Sequence, residues 1–187
     1  MRQIRIAIFL IIVAALLSSY GCRSNSAPET KAVSFASNNS QAQANYDVRE
    51  LPKPQGFAND FAGALDQATK EKLEKTLMKF KESRGIEFAV VTVKTTGDQS
   101  AFDYSLALMR NWGVGSPAHG GLLLLVAMED KRWHIQISRR IEKVLTNEEV
   151  GQFGSVMKPF FLQSKYGEGI EKCVDLFIKE LTERNAS

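Results

Sequence analysis

Two pairs of acidic or amide side chains carry the first chemistry that this sequence suggests. Asn59-Asp60 lies in a stretch predicted to be irregular, shortly before the first helix, and Glu129-Asp130 lies at the tip of a predicted hairpin. Carboxylates from two loops that meet at one edge of a sheet can bind Ca²⁺ or Mg²⁺, which prefer oxygen ligands. Asp60, Glu129 and Asp130 are therefore candidate metal ligands, with Asp103 as a possible neighbour on the second predicted helix.

The same residues also fit a structural role. Asp60 can cap a local turn, and the run Glu129-Asp130-Lys131-Arg132 can form the solvated tip of the hairpin. The spacing of these residues leaves both interpretations open.

Other common sites find little support in the sequence. Its two histidines, His119 in a loop and His134 on the wetter face of a strand, are too few N/S ligands for a zinc site, and the HExxH and CxxC patterns are missing. The glycine motifs of phosphate-binding loops are also missing. Gly113-x-Gly115 and Gly120-Gly121 follow a helix and precede a strand, so they fit turns and a close backbone approach.

The N-terminus has the pattern of an export signal. Arg2 and Arg5 precede an apolar run over residues 6–17, and Ser18-Ser19-Tyr20-Gly21-Cys22 follows. This run is shorter than the roughly 20 residues that span a bilayer. Residues 1–21 are therefore predicted to be a lipoprotein signal peptide, with Cys22 the lipidated residue. Ser19 replaces the leucine that is usual in such a lipobox, and a soluble secreted protein with an incidental cysteine is the alternative.

Acylation of Cys22 would hold the protein on a lipid bilayer, since each buried methylene contributes about 0.8 kcal/mol. Arg23-Ser24 lacks the aspartate that commonly retains lipoproteins at the inner membrane, which favours the outer membrane. The domain would then lie in the periplasm or outside the cell. The other cysteine, Cys173, falls in an apolar helical pattern and is predicted to be a buried thiol.

Composition divides the remainder of the chain in two. Residues 22–50 are rich in Ser, Asn, Ala and Gln and are predicted to form a lipid-anchored flexible tether, whereas residues 51–187 form a single domain. With Arg2 and Arg5 set aside, 22 basic residues face 21 acidic ones, so the near-neutral charge gives no support for nucleic-acid binding.

Hydrophobic periodicity predicts alternating helices and strands in the domain. The fold class expected from this order is α/β: a mixed β-sheet sandwiched between α-helices in three layers, with parallel strands on either side of the second helix. The predicted helices span 66–85, 98–112, 147–161 (limited by Pro159) and 167–184, and the predicted strands span 88–96, 122–128 and 132–138.

The ordered segments GFANDFAGALDQATKEKLEKTL, GIEFAVVTVKTTGDQSAFDYSLALMRNWGVG, GGLLLLVAMEDKRWHIQIS and PFFLQSKYGEGIEKCVDLFIKEL together resemble the TPM domain. That family is named after a thylakoid acid phosphatase, a photosystem II repair protein and a modulator of acetylcholine-receptor channels. The resemblance implies a sheet between helices in an exported or membrane-attached domain.

The resemblance also bears on the candidate site. Asp60 matches the aspartate that the family has before its first helix, and Glu129-Asp130 with Arg132 matches its acid-acid-arginine turn, with Lys131 inserted. Carboxylates in these loops bind divalent metal in some members. The chain departs from the family pattern after the hairpin, where Arg139 and Arg140 replace small residues. These two arginines are candidates for binding an anionic group.

Two functions follow as hypotheses. The first is a membrane-tethered binding or accessory module that serves an envelope protein partner in assembly, repair or quality control. The second is a metal-assisted phosphate monoester hydrolase, with Asp60, Glu129 and Asp130 holding Ca²⁺ or Mg²⁺ and Arg132 on the phosphate.

Overall fold

The computed structural model describes residues 51–115 and 120–184, and Cys22, the signal peptide and His119 lie outside these ranges. The elements follow in the order β1 (Ala58–Asp60), α1 (Gln67–Arg84), β2 (Glu87–Val93), α2 (Ala101–Trp112), β3 (Gly121–Ala127), β4 (Arg132–Ile137), a 3-10 turn (Ile141–Lys143), α3 (Asn147–Ser155), α4 (Lys158–Phe161) and α5 (Tyr166–Glu183).

Four strands form one mixed sheet in the order β1-β2-β3-β4. β1, β2 and β3 run parallel, and β2 and β3 are buried on both faces, as is usual in parallel sheets; β4 returns antiparallel to β3. The prediction of parallel strands on either side of α2 is therefore confirmed. The short strand β1 was not predicted: Asn59 and Asp60 belong to a strand rather than to an irregular stretch.

Helices cover both faces of this sheet, which confirms the predicted three-layer α/β class. Side chains of β2 alternate between the faces: Phe88 and Val90 join the core under α1, α3 and α5, whereas Ala89 and Val91 join the core under α2. Val91 and Leu125 on the α2 face have no exposed surface, so α2 must be present for the sheet to be shielded from water.

The ends of α1 are set by local chemistry, as predicted. The Asp66 carboxylate accepts a hydrogen bond from the Thr69 backbone N–H at 2.8 Å, and Gly85 ends the helix in the left-handed conformation at φ 69°.

The region predicted as one helix over residues 147–161 is two helices. Thr146 and Glu149 form a reciprocal capping box at the start of α3. The helix is interrupted at Val156 and Met157, between α3 and α4. Pro159 lies in the first turn of α4, where a proline needs no N–H partner, so it helps to start a helix instead of limiting one.

Within the described residues, no helix combines the length and the apolar character needed to cross a bilayer.

Candidate functional site at the carboxyl edge of the sheet

The predicted carboxylates lie at the ends of two strands, β1 and β3, at the same edge of the sheet. Asp60 ends β1, and Glu129 and Asp130 follow β3. β1, β2 and β3 are parallel, so their carboxyl ends lie side by side, and the end of β2 with Thr95 and Thr96 lies between the other two. The topology therefore brings the two loops to one edge, which is the arrangement that the metal hypothesis requires.

Asp60 accepts hydrogen bonds from its own turn and from β2. Its carboxylate oxygens accept the backbone N–H groups of Ala64 at 2.9 Å and Leu65 at 3.0 Å, and one of them also accepts the Thr92 hydroxyl. Partial burial raises the pKa of Asp60, but these hydrogen bonds to the charged form outweigh it and hold the pKa below its ordinary value. The ionised carboxylate thus holds the turn between β1 and α1 against β2.

Asp130 makes an equivalent connection between β3 and β2. One carboxylate oxygen accepts the Thr95 hydroxyl at 2.8 Å, and the other accepts the Thr96 backbone N–H at 2.8 Å and the Thr96 hydroxyl at 3.1 Å. The Thr96 N–H is the main cause that lowers the pKa of Asp130, followed by the Thr95 hydroxyl, with a smaller contribution from the positive charge of Arg132.

The remaining candidates at this edge are more exposed or otherwise engaged. Glu129 and Arg132 are exposed to solvent on either side of Asp130. Asp103 lies in the first turn of α2, where its carboxylate accepts the Ser100 hydroxyl at 2.7 Å and its backbone N–H donates to Ser100 in return. Asp103 therefore stabilises the start of a helix.

Among residues 51–115 and 120–184, no group of three or more His, Cys, Asp or Glu side chains is arranged to hold a metal ion. The ring of His134 packs edge-on against Phe102 with centroids 5.2 Å apart, and burial lowers the pKa of His134. Binding of Ca²⁺ or Mg²⁺ by Asp60, Glu129 and Asp130 stays a prediction. It would require the metal to share or replace the N–H and hydroxyl donors that both aspartates now accept.

The candidate anion-binding arginines do not lie together. Arg132 begins β4 opposite Ala127, whereas Arg139 and Arg140 follow the far end of the strand, where Ser138 pairs with Gly121. Since β4 is antiparallel to β3, Arg139 and Arg140 lie at the amino edge of the parallel strands. A phosphate held at the carboxyl edge would therefore be near Arg132 alone of the three.

Glu74 is a carboxylate whose role sequence reasoning missed. From the middle of α1 it accepts the backbone N–H groups of Phe57, at 2.8 Å, and Ala58, at 2.7 Å. Gly56 stands so close that an added Cβ would lie 2.6 Å from the Glu74 Oε1 atom. In the sequence, Glu74 cannot be told apart from other surface acids of an amphipathic helix. The only sequence signal of a close approach was Gly56, which lies next to the Glu74 carboxylate in space.

The glycines after α2 serve the close backbone approach that the sequence predicted. An added Cβ on Gly115 would lie 2.7 Å from the Gly121 Cα atom, and Gly115 has φ 77°. Gly115 also donates its N–H to the Glu87 carboxylate at 3.1 Å. These contacts hold the loop after α2 against the start of β3.

These features define a class of protein: a three-layer α/β/α domain on a four-stranded mixed sheet, with polar loops at the carboxyl ends of its strands. A family model of the TPM domain matches residues 58–180. The chain belongs to the TPM domain family, as its sequence motifs suggested.

Solved structures agree with this assignment. The chain is similar to the N-terminal domain of a protein from P. gingivalis, determined by solution NMR, with 30% sequence identity and a TM-score of 0.62 over 67% of this chain and 81% of that one. No curated protein matches the chain.

Two more distant neighbours share the fold alone. One is the N-terminal domain of a Corynebacterium glutamicum protein, with 16% identity and a TM-score of 0.51 over 66% of this chain and 79% of that one. The other is a protein of the psychrophilic bacterium Bizionia argentinensis, with 17% identity and a TM-score of 0.57 over 64% of this chain and 83% of that one.

Proposed function

We propose that this TPM domain is a binding or accessory module of a bacterial cell envelope, anchored to a membrane through acylated Cys22. Its partner would be an envelope protein undergoing assembly, repair or quality control. The export pattern of residues 1–21 and the polar composition of residues 22–50 support a domain held at a distance from a bilayer.

The observation that supports a binding role is that Asp60 and Asp130 are hydrogen-bonded within the domain itself. Each accepts three hydrogen bonds from the domain itself, out of about four acceptor positions that a carboxylate offers. Side chains committed in this way stabilise loops, and a stable set of loops at one sheet edge suits recognition.

Metal-assisted hydrolysis of phosphate monoesters is the second candidate. It is favoured by the placement of Asp60, Glu129 and Asp130 at one edge, where Arg132 is also exposed. In that mechanism Ca²⁺ or Mg²⁺ would activate water and neutralise charge on the phosphate. The two functions differ in whether divalent metal binds at this edge.

Calorimetric titration separates them. The full chain in detergent micelles is titrated with Ca²⁺ and Mg²⁺, and p-nitrophenyl phosphate hydrolysis is followed with and without chelator. The variants are Asp60→Ala and Asp130→Ala, with Asp175→Ala, an exposed acid on α5, as the matched control. A binding module gives no saturable heat and no chelator-sensitive hydrolysis. Saturable binding and hydrolysis that Asp60→Ala abolishes and Asp175→Ala preserves would establish the hydrolase instead.

The anchor has its own test. Cells expressing the protein are labelled with radioactive palmitate, and the membrane fraction is separated. We expect label in the wild-type chain and none in Cys22→Ser, which should also leave the membrane fraction. Equal membrane association of both chains without label would reject lipidation.

A further inference from the structure

β4 is the outer strand at one end of the sheet, and half of its backbone groups face away from the sheet. The Ser138 N–H, directly after β4, donates to the Gly121 carbonyl at 2.9 Å. In an antiparallel pair, successive residues alternate between bonding towards the neighbouring strand and pointing away from it. From this register, Trp133, Ile135 and Ile137 direct their N–H and C=O groups away from β3.

These outward groups are open to another strand. Within residues 51–115 and 120–184, no group of the protein accepts the N–H of Trp133, Ile135 or Ile137, and the Ile137 carbonyl accepts one long hydrogen bond, at 3.5 Å, from the Gln136 amide. β4 pairs with β3 residue for residue, so it has no bulge, and its sequence has no proline or lysine. Proteins commonly block an edge strand with such features, and β4 carries none of them.

The opposite edge of the sheet is better protected. β1 has only three residues, and its Ala58 N–H donates to the Glu74 carboxylate at 2.7 Å. A short strand whose donor is already in use gives another strand little to pair with. The open edge is therefore specific to β4.

An exposed aromatic ring lies beside this open edge. On the α2 face of the sheet, Phe102 is 49% exposed and packs edge-on against the ring of His134, with centroids 5.2 Å apart. A strand added to β4 would lie next to this ring, and an apolar side chain on its α2 face would cover it.

Exposed basic residues stand at both ends of β4: Lys131 and Arg132 before its core, and Arg139 and Arg140 after it. The nearest acids in the sequence are Glu129, Asp130 and Glu142. Asp130 is hydrogen-bonded to the loop after β2, on the side of β3 that faces away from β4. The charge along the free side of β4 thus favours acidic residues at both ends of a partner strand.

We propose that β4 pairs with an extended segment of a partner protein, which adds a fifth strand to the sheet. The segment has an uncharged core of about five residues, a usual strand length, with apolar side chains on its α2 face and acidic residues at both ends. Its backbone exchanges hydrogen bonds with Trp133, Ile135 and Ile137. This inference rests on the proposed binding role and names the partner chemistry for it.

A second copy of this chain fits the edge less well. If two β4 strands paired antiparallel about Ile135, Arg132 of one copy would lie opposite Ser138 of the other and beside its Arg139. Like charges would then meet at both ends of the pair, which disfavours it.

The first test is fluorescence anisotropy with the full chain in detergent micelles. The probe is an N-terminally labelled, C-terminally amidated peptide, Asp-Asp-Val-Thr-Val-Thr-Val-Asp-Asp, and one control has lysine in place of each aspartate. We expect saturable binding of the acidic peptide and at least about tenfold weaker binding of the basic one. No binding of the acidic peptide, or equal binding of both, would overturn the inference.

Backbone methylation tests the pairing itself. Two further peptides carry N-methyl groups on the valines or on the threonines, which removes the N–H donors from one side of the strand and leaves every side chain in place. At least one of them should bind about tenfold more weakly than the parent, because its bonds to β4 are lost. Unchanged affinity of both would show that the peptide does not add to the sheet.

Amide hydrogen exchange, measured by NMR for single residues, locates the peptide. His134 and Gln136 bond to β3 and should exchange slowly with or without it. Exchange at Trp133, Ile135 and Ile137 should slow at least about tenfold when the peptide is bound. Unchanged exchange at these three would overturn the assignment. Protection of the free chain that grows with protein concentration would show instead that a second copy occupies the edge.

Charge reversal identifies the two ends of the site. Arg132→Glu and Arg139→Glu should each weaken binding of the acidic peptide about tenfold and strengthen binding of the basic one. Lys75→Glu, at an exposed position of α1, a helix that packs on β1 and β2, should change neither affinity. Thermal unfolding checks that each variant keeps its fold. A wild-type preference for the acidic peptide in both arginine variants would contradict the proposed ends.

The failure of this inference and the failure of the proposed function are distinguishable. A chain that takes up palmitate and shows no metal-dependent hydrolysis, but does not bind the acidic peptide, would reject this inference alone. A chain that pairs with the peptide through β4 but hydrolyses p-nitrophenyl phosphate with bound metal would reject the choice of a binding role alone.

Discussion

Asp130 and Thr96 join the loops after two strands: one Asp130 carboxylate oxygen accepts the backbone N–H of Thr96 at 2.8 Å. The same oxygen lies 3.1 Å from the Thr96 hydroxyl, whose single hydrogen is shared with the Gln99 carbonyl oxygen at 2.8 Å. Thr96 follows β2 and Asp130 follows β3, so this contact joins the loops after two neighbouring strands. Asp60 and Thr92 make the corresponding connection between β1 and β2. The carboxyl edge of the sheet is thus held by aspartate–threonine contacts on both sides of β2.

Replacement of Asp130 should loosen the loop after β2. In Asp130→Ala the Thr96 N–H loses its acceptor, and Asp130→Asn should behave similarly, because an uncharged amide is the weaker acceptor. We expect a lower thermal midpoint and faster amide hydrogen exchange at residues 95–99 in both variants. Glu129→Ala is the control, since Glu129 is the exposed neighbour of Asp130. Equal exchange in all four chains would show that the contact does not hold the loop.

Asp60 should make the free energy of unfolding fall as the solution becomes acidic. Burial raises its pKa, but the Thr92 hydroxyl and the backbone N–H groups of residues 63–65 bring the net pKa below its ordinary value. A carboxyl whose pKa is lower folded than unfolded adds stability above about pH 4, and this stability is lost as the pH falls through the folded pKa. Urea unfolding from about pH 6 to about pH 2.5 should show this loss.

Two variants isolate the contribution of Asp60 to that pH dependence. Asp60→Asn should flatten the slope, because its side chain no longer titrates. Thr92→Val removes the hydroxyl and should raise the folded pKa of Asp60 towards its unfolded value, so less stability is lost as the pH falls. Identical slopes in the wild type and Asp60→Asn would contradict the assignment, and NMR titration of the Asp60 carboxyl carbon would measure the pKa directly.

Glu74 should matter for stability more than other glutamates on α1. Glu74→Ala leaves the Phe57 and Ala58 N–H groups without their acceptor, and losses of this kind cost about 1–3 kcal/mol. Glu74→Gln keeps one acceptor oxygen and should cost less. The free energy of unfolding in urea measures both, with Glu82→Ala, an exposed acid on the same helix, as the control. A Glu74→Ala chain as stable as Glu82→Ala would show that β1 does not depend on this contact.

Elements with strong local patterns were predicted well from the sequence. Asp66 and Gly85 mark the ends of α1 by their own capping chemistry, and the apolar run of β3 is buried along its length. β4 follows from its alternation of side chains, although the turn before it places Lys131 at φ 53°, a conformation that favours glycine or asparagine. The alternation of side chains in β4 was therefore enough to predict the hairpin, although its turn residues are unusual.

Features that depend on distant partners were not predictable in the same way. β1 has three residues, too few for a periodic pattern, and it exists because β2 pairs with it. The placement of Arg139 far from Arg132 follows from the direction of β4. Arg110 and Gln136 come to line one groove only because α2 packs against β4, so neither residue was distinctive in the sequence.

Cys173 should be chemically inert in the folded protein, as its apolar surroundings predicted. Its side chain has no exposed surface, and burial raises the pKa of its thiol to about 12. Since only the thiolate reacts, a thiol-specific reagent at pH 8 should label no residue of the native Cys22→Ser variant and one residue in urea. Labelling should stay slow up to about pH 10, well below the folded pKa. Rapid native labelling of this variant would contradict the buried thiol, and the chain with both Cys22→Ser and Cys173→Ala provides the blank for the assay.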